Sequence, residues 1–276
     1  MPELPEVETV KRSLAPCLKG KKIENVKIFF DGIIKYPTST LFRETIIGRT
    51  IVDLERRGKY LLFVLDKSFT LVIHLRMTGQ LTVCSQSLPI NKHTHLIFSL
   101  SSKQELRFTD IRKFGLVYLV PTGDWKCIKG LWNLGYEPLG EDFTLQVFTE
   151  LLKGKKGKLK SFLLDQSKIA GIGNIYADEI LFQAGLHPER TIKTLKTAEV
   201  KKLYQAIRLT LEEAVIYRGT SLRDYVDGHG EKGGFQERLQ VYGRRGEPCY
   251  RCQTPLERIV VAGRGTVFCP RCQGKQ

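Results

Sequence analysis

The sequence predicts an α+β protein of two domains, an antiparallel β-sandwich or barrel followed by a helical region. A length of 276 residues suits two domains at about 150 residues each. Between residues 23 and 120, short segments rich in Val, Ile, Leu, Phe and Thr follow one another with turn residues between them. No long helical pattern interrupts these segments, as a parallel sheet would require, so antiparallel pairing is favoured. After Gly130 the spacing of apolar residues becomes helical.

The first element is predicted to be a helix that begins near residue 4. Pro5 suits a first helical turn, and Pro16 is expected to end the helix. Its apolar face is formed by Leu4, Val7, Val10 and Leu14. Eight strands are predicted after it, at residues 23–30, 50–57, 60–65, 70–75, 80–84, 95–100, 105–109 and 116–120.

The clearest element of the second half is a helix over residues 197–218. One apolar stripe runs along it, and Gly219 provides a stop signal at its end. The segment that follows, residues 222–240, contains four glycines and is predicted to be mostly a mobile loop.

The chain is strongly basic, with 44 Lys and Arg against 29 Asp and Glu, a net charge of +15 and a pI near 9.5. Apolar residues make up 42% of it, which allows packed cores and excludes a disordered chain. No apolar run approaches the roughly 18 residues of a membrane helix, and the acidic N-terminus does not resemble a secretory signal. We therefore expect a soluble, cytoplasmic protein with no membrane partner. Basic segments at residues 151–160 and 241–276 favour a nucleic-acid backbone as the partner.

Four of the seven cysteines form two pairs, Cys249 with Cys252 and Cys269 with Cys272, separated by sixteen residues. This spacing is typical of a four-thiolate zinc site, whereas two disulfides would be unusual in a chain without an export signal. Four protein ligands leave no open position on the metal, so one structural Zn²⁺ is predicted. The remaining cysteines are expected to be small packing residues.

Arg264 lies between two glycines in the segment that joins the cysteine pairs. An arginine presented at a hairpin tip suits phosphate binding, although a solvated tip fits the local sequence equally well.

The N-terminus holds a possible nucleophile next to a carboxylate. Removal of Met1 would leave Pro2 with a free secondary amine, and terminal amines lose their proton at a much lower pH than lysine does. Glu3 follows directly at the positive end of the predicted helix. An amine with an adjacent carboxylate can form an imine and move protons, but an ordinary capped helix also explains these residues.

Taken together, these features resemble one family, bacterial formamidopyrimidine-DNA glycosylase. The resemblance rests on six stretches that span nearly the whole chain: PELPEVET from Pro2, RRGKY from Arg56, HLRMTG from His74, DIRKFG from Asp110, GIGNIYADE from Gly171, and the segment from Val241 to Cys272 that begins VYGRRGEPC.

The resemblance implies an N-terminal catalytic sandwich of two four-stranded antiparallel sheets with flanking helices, over residues 1–132. A helical domain with a helix–two-turn–helix motif would follow at 133–240, and a zinc-finger hairpin at 241–276. It also implies a monomer that binds damaged double-stranded DNA between its domains. Such an enzyme excises oxidised purines, such as 8-oxoguanine and formamidopyrimidines, and then cleaves the strand by β,δ-elimination.

The same resemblance assigns catalytic roles to three residues. Pro2 would attack C1′ of the damaged nucleotide and form a Schiff base, and Glu3 would be the general acid and base at the sugar. Lys59 would contact a phosphate near the lesion and assist elimination, although the residues alone suggest a solvated turn lysine. Glu6 would support them.

The damaged nucleotide must leave the duplex to reach Pro2, and three residues are implied to fill the gap, namely Met77, Arg112 and Phe114. From the residues alone, Met77 and Phe114 would be placed in the core. Phosphate contacts are implied for His74, Asn174, Tyr242, Arg258 and Arg264.

Two further patterns in the sequence bear on cofactor and metal binding. Tyr176 stands where a dinucleotide motif would need its third glycine, so no nucleotide or redox cofactor is expected. His93 and His95 could pair on a metal but have no further ligands nearby in sequence, so they are predicted to be surface or DNA-proximal histidines.

Two rival functions remain open at this stage. An endonuclease VIII-like glycosylase for oxidised pyrimidines usually begins Pro-Glu-Gly, whereas this chain has Leu4, and it lacks the complete Met-Arg-Phe set. A non-catalytic zinc-finger DNA-binding protein would explain the charge and the cysteines but has no use for Pro2 and Glu3.

Overall fold

The computed structural model describes residues 1–274, which form two compact units. Unit 1 comprises Met1–Trp132 and Tyr217–Gln236, and unit 2 comprises Asn133–Ile216 and the chain from Glu237 onward. Among the described residues no helix is both long and apolar enough to cross a membrane. The division into residues 1–132, 133–240 and 241–276 stays a prediction.

Unit 1 is built on nine strands: β1 (Ile23–Ile28), β2 (Ile34–Tyr36), β3 (Ile51–Arg57), β4 (Tyr60–Leu65), β5 (Phe69–His74), β6 (Gly79–Ser85), β7 (Thr94–Leu100), β8 (Gln104–Asp110) and β9 (Leu116–Pro121). They form a four-stranded sheet in the order β1-β7-β8-β6 and a five-stranded sheet in the order β2-β9-β5-β4-β3. Apolar side chains of both sheets, among them Phe63, Ile73, Phe98 and Phe108, share one core from which water is excluded. The predicted α+β sandwich is thereby confirmed.

The second sheet differs in one respect from the expected pair of four-stranded antiparallel sheets. Strand β2 adds a fifth strand and pairs in parallel with β9. The strand has only three residues, of which Ile34 alone is buried, and so short a segment shows no alternating pattern in the sequence.

Three helices flank these sheets, α1 (Leu4–Leu18), α2 (Ser39–Ile46) and α3 (Lys129–Trp132). The expectation that Pro16 ends α1 was wrong, because the helix continues to Leu18, which is fully buried in the core. A proline this close to the helix end removes one backbone hydrogen bond, which burial of the last turn outweighs. Helix α2 was not predicted; its N-terminus is capped by the Thr38 hydroxyl, 3.4 Å from the Leu41 amide.

Residues 217–236, here called the glycine-rich segment, are tied to the sandwich, whereas residues 222–240 were expected to be mostly a mobile loop. Tyr225 belongs to the unit 1 core. The Gly228 amide donates to Ser13 Oγ at 2.8 Å, and the Gly228 carbonyl accepts from the Val83 amide at 2.9 Å. A Cβ on Gly228 would lie 2.5 Å from Leu14, so the absence of a side chain allows this contact with α1.

Unit 2 contains the helices α4 (Leu145–Leu152), α5 (Leu159–Leu164), α6 (Asn174–Ala184) and α7 (Thr197–Ile216), and a hairpin of β10 (Glu257–Val261) and β11 (Arg264–Phe268). Helix α6 packs against both α7 and β11. A small apolar cluster that includes Phe182, Val241 and Leu256 surrounds Cys249 and Cys269.

Candidate functional site

The start of α1 places two buried carboxylates next to Pro2. Pro2 is itself buried, and Glu3 and Glu6 are only 2% and 1% exposed. The Glu3 amide donates to Glu6 Oε2 at 2.8 Å, as one half of a reciprocal capping box. The positive end of the helix dipole favours negative charge at this point.

The glycine-rich segment donates a hydrogen bond to the other carboxylate oxygen of Glu6. The Thr220 amide donates to Glu6 Oε1 at 2.7 Å, and the Tyr225 hydroxyl donates to the Glu6 carbonyl at 3.3 Å. Gly219 has a φ of +77°, and a Cβ there would lie 2.7 Å from Glu6 Oε1. Backbone amides on both oxygens therefore fix the Glu6 carboxylate, which in turn fixes the backbone at Glu3.

Lys59 and His74 are buried close to each other, at the β3–β4 turn and the end of β5. Each is 6% exposed, so Lys59 is not the solvated turn lysine that the residues alone suggested. Burial lowers the pKa of His74 to about 3, and the positive charges of Arg76 and Lys59 add to this effect. The neutral ring accepts the Arg76 amide on Nδ1 at 3.0 Å, so its Nε2 carries the proton and can donate to an anion.

Met77, Arg112 and Phe114 form one exposed cluster contributed by two turns of unit 1. Arg112 Nη1 lies 3.0 Å from Met77 Sδ, and its guanidinium stacks 4.6 Å above the centre of the Phe114 ring. Met77 is 42% exposed and Phe114 is 47% exposed, which is unusual for these residue types and excludes the core placement.

Asp110, which the sequence analysis did not single out, holds the two turns together. Its side chain is fully buried, accepts from the Thr78 hydroxyl and the Arg112 amide on Oδ1, and accepts from the Gly115 amide on Oδ2 at 2.7 Å. The only sequence signal for it is its place at the head of the DIRKFG stretch.

The neighbouring residues His93 and His95 do not lie together on an exposed surface. His95 is 4% exposed, and its Nε2 lies 2.8 Å from the Asp110 carbonyl, so its assignment as a surface histidine was wrong. His93 precedes the strand and is half-buried, with its carbonyl bonded to the Asp110 amide at 2.9 Å. Neither arrangement provides a metal site.

Three of the predicted phosphate contacts, Asn174, Arg258 and Arg264, lie at the start of α6 and on the hairpin. Asn174 begins α6, and its Nδ2 donates to the Gly265 carbonyl at 3.0 Å, whereas its buried Oδ1 has no hydrogen-bond partner among residues 1–274. The side chain of Arg258 covers Gly265, where a Cβ would lie 2.7 Å from Nη2. Arg258 and Arg264 are both exposed on the hairpin.

Tyr242 is positioned by a buried carboxylate on α6. Glu179 is 4% exposed and accepts from the amides of Gln240, Val241 and Tyr242 at 2.8–3.0 Å. Burial raises the pKa of Glu179, although these amides oppose the shift. Glu179 thus orders the chain that leads into the cysteine-rich hairpin.

The four paired cysteines converge, with all their sulfur atoms within 4.8 Å of one another. Cys249 and Cys272 Sγ lie 3.9 Å apart, and Cys252 and Cys269 Sγ lie 3.4 Å apart. A tetrahedral zinc with Zn–S bonds of about 2.3 Å requires sulfur separations of about 3.8 Å, so the site fits one structural Zn²⁺. No other group of this kind occurs in residues 1–274.

Comparison with known proteins agrees with this arrangement. Residues 1–117 match the formamidopyrimidine-DNA glycosylase N-terminal domain, residues 134–226 match its H2TH domain, and residues 246–274 match the zinc finger found in FPG and IleRS. The chain belongs to the formamidopyrimidine-DNA glycosylase family.

Individual family members resemble the chain over its full length. The formamidopyrimidine-DNA glycosylase of Pelotomaculum thermopropionicum is 47% identical over 99% of both chains, and that of Geobacillus kaustophilus is 47% identical over 99% of this chain and all of its own. The crystal structure of MutM (FPG) from Thermus thermophilus covers all of both chains with a TM-score of 0.90 at 43% identity. A Lactococcus lactis FPG mutant bound to Fapy-dG DNA superposes with a TM-score of 0.93 at 38% identity, over 99% of this chain and all of its own.

One lysine of the basic segment at residues 151–160 does not fit the expected role in phosphate binding. Lys160 belongs to the lysine run that was expected to contact phosphate, but it is fully buried and bonded to Asp178 Oδ1 and Thr266 Oγ1 at 2.6 Å. No local pattern indicates these contacts, because Asp178 and Thr266 lie 18 and 106 residues from Lys160 along the chain.

Proposed function

We propose that this chain is a bifunctional DNA glycosylase and abasic-site lyase that removes oxidised purines, including formamidopyrimidines, from double-stranded DNA. Its family membership and its likeness to a relative bound to Fapy-dG DNA support this substrate class. The observation that carries the chemistry is the buried Glu3 carboxylate directly after Pro2 at the positive end of α1.

Pro2 is the nucleophile once Met1 is removed. Its secondary amine would bond to C1′ of the nucleotide, and the damaged base leaves with the electrons of the glycosidic bond. On bonding to C1′ the amine loses its proton to the Glu3 carboxylate. The Glu3 carboxyl then gives this proton to O4′ as the C1′–O4′ bond opens, which leaves an iminium between Pro2 and C1′. Loss of a proton from C2′ then expels the 3′ phosphate, and a second elimination expels the 5′ phosphate.

Lys59 and His74 are suited to the phosphates that flank the lesion. A buried ammonium beside an anion gains more from the pairing than an exposed one, because little water competes. The neutral His74 ring can donate from Nε2 without adding a second positive charge next to Lys59.

The exposed cluster of Met77, Arg112 and Phe114 would replace the flipped nucleotide in the stack. The thioether and the aromatic ring fill an apolar gap, and the guanidinium offers donors to the base left unpaired on the other strand. Asp110 supplies the rigidity such a wedge needs.

Unit 2 would hold the DNA backbone. Asn174 with the first amides of α6, Tyr242, Arg258 and Arg264 are the phosphate contacts we propose, and His93 is a further DNA-proximal residue. The zinc site has no open coordination position and would keep the hairpin folded. Because bacterial DNA lies in the cytoplasm, we expect the enzyme to act there.

Borohydride trapping on defined duplexes tests the proposal. A covalent protein–DNA adduct is expected with 8-oxoguanine opposite cytosine, with a formamidopyrimidine and with an abasic site. A variant that retains an extension before Pro2 should bind an abasic duplex normally but form no adduct. If the enzyme without the extension forms no adduct, the enzyme hypothesis is wrong. If the extended variant does form an adduct, the nucleophile is not Pro2, and Lys59 is the first alternative.

The same duplex series separates this function from excision of oxidised pyrimidines. Faster excision of thymine glycol than of 8-oxoguanine would favour the endonuclease VIII-like alternative.

A further inference from the structure

An ion-pair cluster of Arg218, Asp227 and Glu231 lies at the start of the glycine-rich segment. Arg218 Nη2 contacts Asp227 Oδ2 and lies 3.0 Å from Glu231 Oε2. Asp227 is 1% exposed, and its Oδ1 accepts the amides of His229 and Glu231 at 2.9 and 3.0 Å. These side-chain contacts therefore join the two ends of the loop formed by residues 218–231.

The backbone at Arg218 is strained in a way that its side-chain contacts offset. Its φ of +63° lies in the left-handed region, which is unfavourable for a residue with a Cβ. Such a conformation persists only where surrounding contacts hold it. The pairing with Asp227 is one such contact, and the hydrogen bond from the Tyr225 hydroxyl to the Arg218 carbonyl, at 3.1 Å, is another.

This strained turn is connected by hydrogen bonds to Glu6 and, through Glu6, to Glu3. Gly219 continues with a positive φ, and the next amide, that of Thr220, is the donor to Glu6 Oε1. Glu6 Oε2 in turn accepts the Glu3 amide. Three consecutive residues thus connect the ion-pair cluster to the backbone that carries the proposed general acid.

We propose that Arg218 is a positioning residue: its pairing with Asp227 holds the Thr220 amide on Glu6 and so fixes Glu3. The consequence for catalysis rests on the proposed function above. Loss of the guanidinium should slow base excision, which needs Glu3 to open the sugar, more than strand cleavage at a preformed abasic site, where the base is already gone and the sugar opens by itself.

Hydrogen exchange on the free protein tests the structural half of this proposal without any activity. In Arg218→Gly, which removes the guanidinium and relieves the backbone strain, the Thr220 amide should exchange about tenfold faster. Asp227→Asn should act in the same direction, since it keeps an oxygen for the His229 and Glu231 amides but loses its charge. Glu231→Gln should change exchange by less than threefold, because Glu231 is 65% exposed. Arg218→Lys should restore part of the protection.

Single-turnover assays with saturating enzyme test the catalytic half. We expect Arg218→Gly to slow excision of a formamidopyrimidine three- to tenfold while cleavage of an abasic duplex stays within twofold. Unchanged Thr220 exchange in both Arg218→Gly and Asp227→Asn would overturn the proposal, and so would equal losses on the two substrates. If the wild-type chain cuts neither duplex, the proposed function fails, while the exchange result still decides whether Arg218 holds the turn.

Discussion

The Lys160 ammonium and the Asp178 carboxylate form an ion pair of 2.6 Å in which neither side chain is exposed. Burial raises the pKa of Asp178 to about 7, although Lys160 and the Val267 amide both favour its charged form. Since Lys160 also donates to Thr266 Oγ1, and Asp178 accepts from Val267, the pair attaches β11 to α5 and α6.

Replacing Lys160 with Met should destabilise the zinc-loaded protein by about 3 kcal/mol, because the buried Asp178 loses its cation and must take up a proton to remain in a dry site. Urea unfolding measures this loss. The matched control is Lys158→Met, whose pair with Glu189 is partly exposed and should cost less than about 1 kcal/mol. Equal losses in the two variants would mean that burial adds nothing to the pair.

Stability should rise with pH between about 3 and 6.5 through His74. The folded pKa of His74 is about 3, well below the ordinary value of about 6.5 that applies in the unfolded chain, so in this interval the unfolded state binds the extra proton. The free energy of unfolding then gains at most about 1.4 kcal/mol per pH unit from this residue. Denaturation of wild type and His74→Gln over this range measures the difference, and identical pH slopes would contradict it.

Asp110→Ala should loosen the exposed wedge of Met77, Arg112 and Phe114. The amides of Arg112 and Gly115 lose their buried acceptor, for which we expect a stability loss of about 1–3 kcal/mol and roughly tenfold weaker binding to an abasic duplex. Asp110→Asn retains one acceptor oxygen and should lose less. Binding titrations at constant salt check this, and full affinity in Asp110→Ala would show that the cluster orders itself on DNA.

One zinc per chain should be found by elemental analysis, and a chelator should lower the melting temperature. The cysteine cluster is held by so small an apolar core that the metal must supply part of the folding energy of the hairpin. Cys272→Ser should mimic chelation, whereas Cys127→Ser, at an exposed lone cysteine, should leave the metal content unchanged. An equally stable metal-free protein would argue against a structural zinc.

Arg264→Ala should weaken binding to all duplexes alike and reduce the slope of log affinity against log salt by about 1, as expected for the loss of one phosphate contact. Titrations of damaged and undamaged duplexes at several salt concentrations measure both quantities. An unchanged slope would show that Arg264 contacts no phosphate and is only a solvated residue at the hairpin tip.

Much of the fold was predictable because it is encoded locally. The eight predicted strands are present, since their apolar runs and turns are contiguous in the sequence, and α7 was predicted to within two residues at its end. Strand β2 and helix α2 were missed because each buries few residues. Pro16 misled the prediction of α1 because a local rule was outweighed by burial of Leu18.

The zinc ligands and the Pro2–Glu3 pair were also fixed by the sequence itself, since spacing and adjacency are properties of the chain. Tertiary structure alone decided which polar groups lose their water, since the side chains of Lys59, His74, Asp110, Lys160 and Asp178 are buried within the packed units. The same holds for the glycine-rich segment, whose order comes from hydrogen bonds to α1 and β6 across more than a hundred residues. Burial and long-range hydrogen bonding depend on the whole packed unit, so they cannot be predicted from a local sequence pattern.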